Sequence, residues 1–410
     1  MFDKLLKISH KFLKNKDLPY KRYLIRKTKF SHRMSIIVGQ RGIGKTTLLI
    51  QFLLEKVKGD RFDNKILYVQ SDHFSMGNIS LYEIAEKFQL LGGKWLAIDE
   101  IHKYANWSKE LKSIYDTFPS LKLIISGSSA LEIYKGTHDL IRRSICYYMT
   151  GMSFKEYLEL VHNIELKTYQ LKEICENHKK IAASIIKKVE SISKKILSEF
   201  YRYLKVGYYP YFFELKKEDL YQMTLEQNLH MTVELDLVAI YPNLSGSTIK
   251  KIKQLLIFIA ESVPFIPNWN KIKNILEIGD VRTLKTYFKL LEDAGLIRSI
   301  SKATNKLSRL EAIDKVFLNN SNQLFAISSD IPNKGSMRET FFLSMLSLDH
   351  KVMLPKEGDF FIDNHYLFEI GGSKKSFNQI KSKNNSFIAS DDIEMGIGNK
   401  IPLWLFGFLY

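Results

Sequence analysis

Residues 39–46 read Gly-Gln-Arg-Gly-Ile-Gly-Lys-Thr, the spacing of a phosphate-binding loop. Glycines in such a loop let backbone N–H groups turn inward around a polyphosphate, the lysine reaches the β and γ phosphates, and the hydroxyl that follows holds Mg²⁺. The expected nucleotide contacts are therefore Gly39, Gln40, Arg41, Gly42, Ile43, Gly44, Lys45, Thr46 and Thr47, with ATP or ADP and Mg²⁺ as the ligands. A second centre lies at Asp99-Glu100. Asp99 is expected to join Thr46 as a metal ligand, and Glu100 to orient and deprotonate an attacking water. Ser126 and Ser128 would sense the γ phosphate or position that water, although Ser and Gly also serve any strand-to-helix turn. Arg142 and Arg143 are candidates for a finger reaching a neighbouring subunit's γ phosphate, with a surface ion pair as the alternative.

These groups need a scaffold, and the chain around them supplies one. Met34–Val38 is a short apolar run that reads as a buried strand feeding the loop, and Lys45–Val57 reads as a helix whose apolar face is Leu48, Leu49, Phe52 and Leu53. A second strand is expected at Lys65–Val69. Trp95–Ile98 is a third, delivering Asp99 and Glu100 at its C-terminal tip, and Leu121–Ile125 and Ile145–Met149 complete the set.

The string from Trp95 to Arg143, with Asp99-Glu100-Ile101-His102-Lys103, Trp107, Glu110-Leu111-Lys112, Ser126-Gly127-Ser128-Ser129-Ala130 and Arg142-Arg143, followed by Ser153-Phe154-Lys155-Glu156-Tyr157, resembles the prokaryotic AAA-type ATPases that carry a C-terminal PD-(D/E)xK-like domain. The resemblance implies an α/β fold: an additional-strand (ASCE) P-loop NTPase core with a central parallel sheet, ligands sitting at the carboxyl ends of its strands.

Five segments are expected: a basic N-terminal helical segment at 1–33, the ATPase core at 34–157, a helical lid at 158–246, a winged-helix module at 247–315 and an α/β PD-(D/E)xK-like domain at 316–410. Residues 1–33 hold eleven Lys or Arg against two Asp, which suits an amphipathic helix on the core or a nucleic-acid arm. Within 248–300, a helix at Ile249–Glu261, a short one near Lys271–Leu276, and a third capped by Asp280 and ending at Gly295 precede a strand at Leu296–Ile300. Arg282, Lys285 and Lys289 form one row on the third helix and are the expected DNA contacts; a winged helix used only for protein contacts is the alternative. In the last segment Glu339, Asp359 and Glu369 are candidates for a metal-binding nuclease-like cluster. The lysine usual two residues after the second acid is replaced by Gly371, so Lys374 or Lys375 would have to reach back past Gly371-Gly372. Ile401–Phe406 reads as a buried last strand with Pro402 at its start.

The totals bound the rest. With 410 residues, 45% hydrophobic and 26% charged, the chain has the composition of a multi-domain globular protein rather than a disordered one. No apolar run nears the roughly 20 residues of a membrane span, and two cysteines cannot build a disulfide framework, so a cytoplasmic location is expected. A net charge of +17 favours polyanionic partners. The expected function is an ATP-binding and ATP-hydrolysing switch coupled to duplex DNA or a protein partner, possible as a homo-oligomer. The alternatives are a non-catalytic nucleotide-regulated interaction protein and an ATP-gated metal-dependent nuclease.

Overall fold

A strand covered on both faces is apolar along most of its length, and Met34–Val38, with Ser35 its polar residue, fits: each residue of this strand, β1, is buried. The computed structural model describes residues 2–77, 79–128, 140, 142–262, 264–302, 313–328, 332–377, 380 and 383–410. Its contacts divide the chain into two units, one of Met1–Thr150 with Met231–Leu244 and one of Gly151–His230 with Ser245–Tyr410. This division is coarser than the five segments read from sequence, and it assigns 231–244, expected within the lid, to the first unit.

In the first unit β1 joins β2 (Ile66–Gln70), β3 (Trp95–Asp99), β4 (Lys122–Gly127) and β5 (Ile145–Tyr148) in a sheet of order β2-β3-β4-β1-β5. All its neighbours are parallel. β4 lies between the loop strand and the acid strand, and Val38 pairs with Gly127, so β1 and β4 end at one edge. Helix α1 (Phe2–Asn15) is amphipathic, burying Leu5, Ser9 and Leu13 while Lys4, Lys7, Lys11 and Lys14 stay exposed. Ser9 Oγ accepts the Tyr68 N–H at 3.0 Å, which ties α1 to β2. Helices α2 (Lys45–Lys56), α3 (Leu81–Leu90) and α4 (Trp107–Thr117) complete this part. Ser80 and Glu83 start α3 with a reciprocal capping box. Segment 231–244 contributes a π-helical turn, Thr232–Asp236, and a short helix, Leu237–Ile240.

The second unit begins with α5 (Phe154–His162), α6 (Leu171–Glu190), α7 (Ile196–Val206) and α8 (Glu218–Met231). Next come α9 (Gly246–Ser262), α10 (Trp269–Ile275) and α11 (Val281–Asp293), then β6 (Ile297–Ile300) and β7 (Lys315–Leu318) as an antiparallel pair. A bridge from Phe265 to Val316 adds an edge contact to that pair. The strand containing Val316–Leu318 thus closes the three-helix module rather than opening the last segment, because its partner is β6. α12 (Ser321–Ile327) and α13 (Lys334–Leu346) lead into a sheet of order β12-β11-β10-β9-β8. Its strands are β8 (Val352–Met353), β9 (Phe360–Ile362), β10 (Tyr366–Gly371), β11 (Ser386–Ser390) and β12 (Lys400–Pro402). β8, β9 and β10 are antiparallel neighbours, while β10, β11 and β12 run parallel. The expected last strand at Ile401–Phe406 is mostly helical instead: β12 ends at Pro402, and Leu403–Phe408 is a buried 3₁₀ helix. Apolar runs carry no period that separates strand from buried helix.

A polar knot holds the second unit together. Asn322 is fully buried; its Oδ1 accepts from the Tyr208 N–H at 2.8 Å and the Tyr221 hydroxyl at 2.5 Å, and its Nδ2 donates to the Tyr203 and Leu204 carbonyls at 3.1 and 2.8 Å. Replacing it with alanine strands buried donors and acceptors, each worth about 1 kcal/mol or more. Asn322→Ala is therefore expected to cost about 3 kcal/mol or more, read as a lower urea midpoint of unfolding. Among the described residues no helix is long and apolar enough to cross a membrane.

Candidate functional site

The loop after β1 turns through Gly42 at φ 80° and Gly44 at φ 97°, left-handed conformations that a side chain would strain. Gly39 is fixed by space instead, since a Cβ there would lie 2.4 Å from the Met149 carbonyl oxygen. The loop ends at the N-terminus of α2, where no side chain caps the first turn. Uncapped N–H groups and the positive end of a helix dipole form an anion site. Lys45 is buried, and its Nζ donates to the Gly39 and Gln40 carbonyls at 2.9 and 2.8 Å, with Glu100 Oε1 at 4.0 Å. A buried ammonium aimed into an uncapped loop fits a polyphosphate.

Asp99, at the tip of β3, accepts three hydroxyls. Thr46 Oγ1 and the Tyr68 hydroxyl reach its Oδ2 at 2.6 Å each, and Ser126 Oγ donates to Oδ1. The Thr46 and Asp99 oxygens expected to hold Mg²⁺ are thus side by side. Burial, and then the Asp99 and Glu100 charges, push the Tyr68 pKa far above the ordinary tyrosine value, so Tyr68 remains a donor. Ser126 Oγ also accepts the Glu100 N–H at 3.1 Å, coupling the Asp99 carboxylate and the Glu100 backbone to β4. Glu100 has φ 54°, an unusual conformation for a glutamate, and Ser71 Oγ donates to its carbonyl at 2.7 Å. Its carboxylate lies 3.5 Å from Lys103 Nζ and 3.6 Å from His102 Nε2. Burial works against the Lys103 charge, but Asp72 at 2.6 Å and Glu100 outweigh it and raise the lysine pKa.

The structure distributes the other candidates unevenly. Ser126 belongs to the Asp99 cluster, whereas Ser128 uses its backbone N–H, donating to His102 Nδ1 at 3.3 Å. Ser129 and Ala130 lie outside the described residues. Arg143 grips Asp116 on α4 with Nε at 2.8 Å and Nη2 at 3.0 Å, the ion-pair alternative, and Arg142 is exposed. Sequence reading missed Tyr68, whose hydroxyl meets Asp99 because β2 and β3 are neighbours. It also missed Arg22, a buried side chain donating to the Ile43 and Thr150 carbonyls at 2.7 and 3.0 Å, which braces the loop from behind. Asp236 was missed as well: 195 residues from Arg41 in sequence, it accepts from Arg41 Nη2 at 3.0 Å. No local pattern marks either long-range contact. The thiols of Cys146 and Cys175 are pushed up to about 12 by burial, so neither is a ready nucleophile.

In the second unit, Arg282, Lys285 and Lys289 are exposed on α11, with Lys285 5.3 Å from the Trp269 ring and Lys289 3.2 Å from Asp293. The acids of the last segment are engaged: Glu339 with Lys315 at 2.5 Å, Asp359 Oδ2 with the Ile370 N–H at 2.7 Å, and Glu369 with Lys375 at 2.6 Å. Burial raises the Glu339 pKa above the ordinary glutamate value despite Lys315. Lys375, not the exposed Lys374, reaches back to Glu369; the turn after β10 directs the second lysine inward. Among the described residues no group of three or more His, Cys, Asp or Glu is arranged to hold a metal ion.

Residues 31–158 match the family model described as AAA domain (AAA_14), and residues 197–327 match a domain of unknown function, DUF8612. The chain is 27% identical over 398 residues to the uncharacterized protein MJ1637 of Methanocaldococcus jannaschii, covering 88% of this chain and 80% of the relative. AMPPCP-bound DnaA from Aquifex aeolicus is 15% identical over 71% of this chain and 88% of its own, at a TM-score of 0.27. Domain III of Thermotoga maritima DnaA is 19% identical over 48% of this chain and 91% of its own, at 0.26. PCH-2 of C. elegans is 14% identical over 43% of this chain, at 0.24, and the chain spans only 48% of that protein. Scores this low carry nothing about shared activity or assembly. The loop, the parallel sheet and the matched family model together make residues 31–158 an AAA-type P-loop domain.

Proposed function

We propose that this chain hydrolyses ATP at the edge formed by β1, β3 and β4. The observation that carries the reading is the Asp99 cluster: Thr46 and Asp99 in contact at 2.6 Å, with Glu100 and Lys45 4.0 Å apart beside them. Loop N–H groups and Lys45 bind the β and γ phosphates, Lys45 exchanging the Gly39 and Gln40 carbonyls for phosphate oxygens. Thr46 and Asp99 would hold Mg²⁺, which when bound would supply charge neutralisation for the phosphates. Tyr68 and Ser126 hold Asp99 oriented through their hydroxyls. Glu100 accepts a proton from water as the water oxygen bonds to the γ phosphorus; the bond to the β–γ bridging oxygen breaks, and ADP and phosphate leave. Phosphate release that requires both Lys45 and Glu100 tests this reading, and a non-catalytic nucleotide-regulated protein would bind ATP without releasing phosphate.

The partner of this switch is proposed to be duplex DNA, engaged through the row Arg282, Lys285 and Lys289 on α11. What supports it is the exposure of all three, together with the +17 net charge of the chain. Affinity for duplex DNA is expected to fall steeply between low and moderate salt, and replacing the three residues by alanine is expected to flatten the slope of log K against log salt by about 2 to 3. An unchanged slope in the triple variant would move the contact elsewhere, and a salt-independent affinity would discard the electrostatic route.

A further inference from the structure

His102, in the turn that follows Glu100, has a side chain fully shielded from solvent. Its Nδ1 accepts the Ser128 N–H at 3.3 Å, so the ring proton of the neutral imidazole sits on Nε2. That Nε2 lies 3.6 Å from Glu100 Oε2 and 3.7 Å from Asp236 Oδ1, outside hydrogen-bond distance of both. A buried N–H without a partner is costly, and a shift of a few tenths of an ångström satisfies it with either carboxylate. Asp236 is itself buried, and the same Oδ1 accepts from Arg41 Nη2 of the phosphate loop at 3.0 Å. Burial opposes its charge, but His102 and Arg41 outweigh burial and hold its carboxyl below the ordinary aspartate range. Two anions, Glu100 and Asp236, therefore face the same ring nitrogen, the second delivered by the π-helical turn Thr232–Asp236.

We propose that Asp236 is a positioning residue of the hydrolysis site: it draws the His102 Nε2–H toward itself and thereby leaves the Glu100 carboxylate free to take the attacking water. The inference rests on the assignment of Glu100 as the base. Without Asp236 the imidazole has one carboxylate left to satisfy it, and that is Glu100. The base is then occupied by an internal hydrogen bond, while Lys45 and Thr46 keep their contacts and the phosphate loop loses only the Arg41 partner. Loss of Asp236 accordingly slows turnover more than it weakens nucleotide binding, and the defect requires His102.

The test is a double-mutant cycle in the full chain, with Mg²⁺-ATP turnover and ADP affinity measured on each protein. Asp236→Ala is expected to lower kcat about tenfold with the ADP Kd within about threefold of wild type. His102→Ala, losing a neighbour of the base, lowers kcat about threefold, and the double variant returns to the His102→Ala rate because no imidazole remains to hold Glu100. A merely structural Asp236 gives losses that multiply in the double variant, and that result, or a fall in ADP affinity as large as the fall in kcat, overturns the proposal. A second readout needs no turnover: in ¹⁵N-histidine NMR of the nucleotide-free protein, the His102 Nε2 resonance, assigned by its disappearance in His102→Ala, is expected to shift in Asp236→Ala. An unmoved resonance overturns the proposal even where the variants fold and turn over. Wild-type protein that releases no Glu100-dependent phosphate defeats the hydrolysis reading separately, while the resonance still decides whether Asp236 governs His102.

Discussion

Lys45→Ala is expected to weaken ATP and ADP binding at least about 100-fold, equivalent to about 2.7 kcal/mol. Lys45 Nζ is buried within the loop and donates to the Gly39 and Gln40 carbonyls, with a carboxylate 4.0 Å away. These are partners a polyphosphate readily replaces, because phosphate oxygens carry full charge and carbonyls do not. Alanine leaves the loop N–H groups facing the phosphates without a counter-charge, so the loss appears in Kd itself and not only in turnover. Isothermal titration with ADP measures it. Thermal melting of the same sample separates this effect from loss of the two loop hydrogen bonds: the melting temperature of the nucleotide-free variant should stay close to wild type.

Glu100→Gln should separate binding from chemistry. Glutamine keeps the shape and length of glutamate, so the contacts that set the unusual φ of 54°, namely the backbone bonds to Ser71 and Ser126, are retained. What disappears is the proton acceptor, and general-base removal slows hydrolysis about 10²- to 10⁴-fold. Binding should move slightly the other way. Removing a negative charge near the phosphate site lowers repulsion toward ATP, so the variant is expected to bind ATP as well as wild type or up to about threefold more tightly.

The reach of the sequence followed the range of the interactions. Gly39 to Thr46, the strand before them and the helix after them are contiguous, and their strand–loop–helix arrangement is written in their spacing. Asp99-Glu100 was legible because an apolar run terminating in two acids has few other readings. Tyr68 and Arg22 were not, since their roles arise from a neighbouring strand and from carbonyls that any residue carries. Asp236 lies in a segment whose composition reads as ordinary helix, and nothing local tells that its chain returns to the first unit. The three-helix module was largely visible, down to the Asp280 cap, because its turns are short and its apolar periods regular. Its closing strand was assigned to the next segment because pairing of β7 with β6 is decided by register and not by pattern. In the last sheet the choice between Lys374 and Lys375 depended on a turn geometry that two glycines leave open.

The most direct measurement is phosphate release from Mg²⁺-ATP by purified full-length chain, with wild type and Glu100→Gln assayed alongside ATP binding on the same preparations. The account predicts steady release by wild type, and a loss of about 100-fold or more in the variant with ATP binding intact. Undiminished release from Glu100→Gln would contradict it, because Glu100 would then not be the base and the site built around Asp99 would not be where the water is activated.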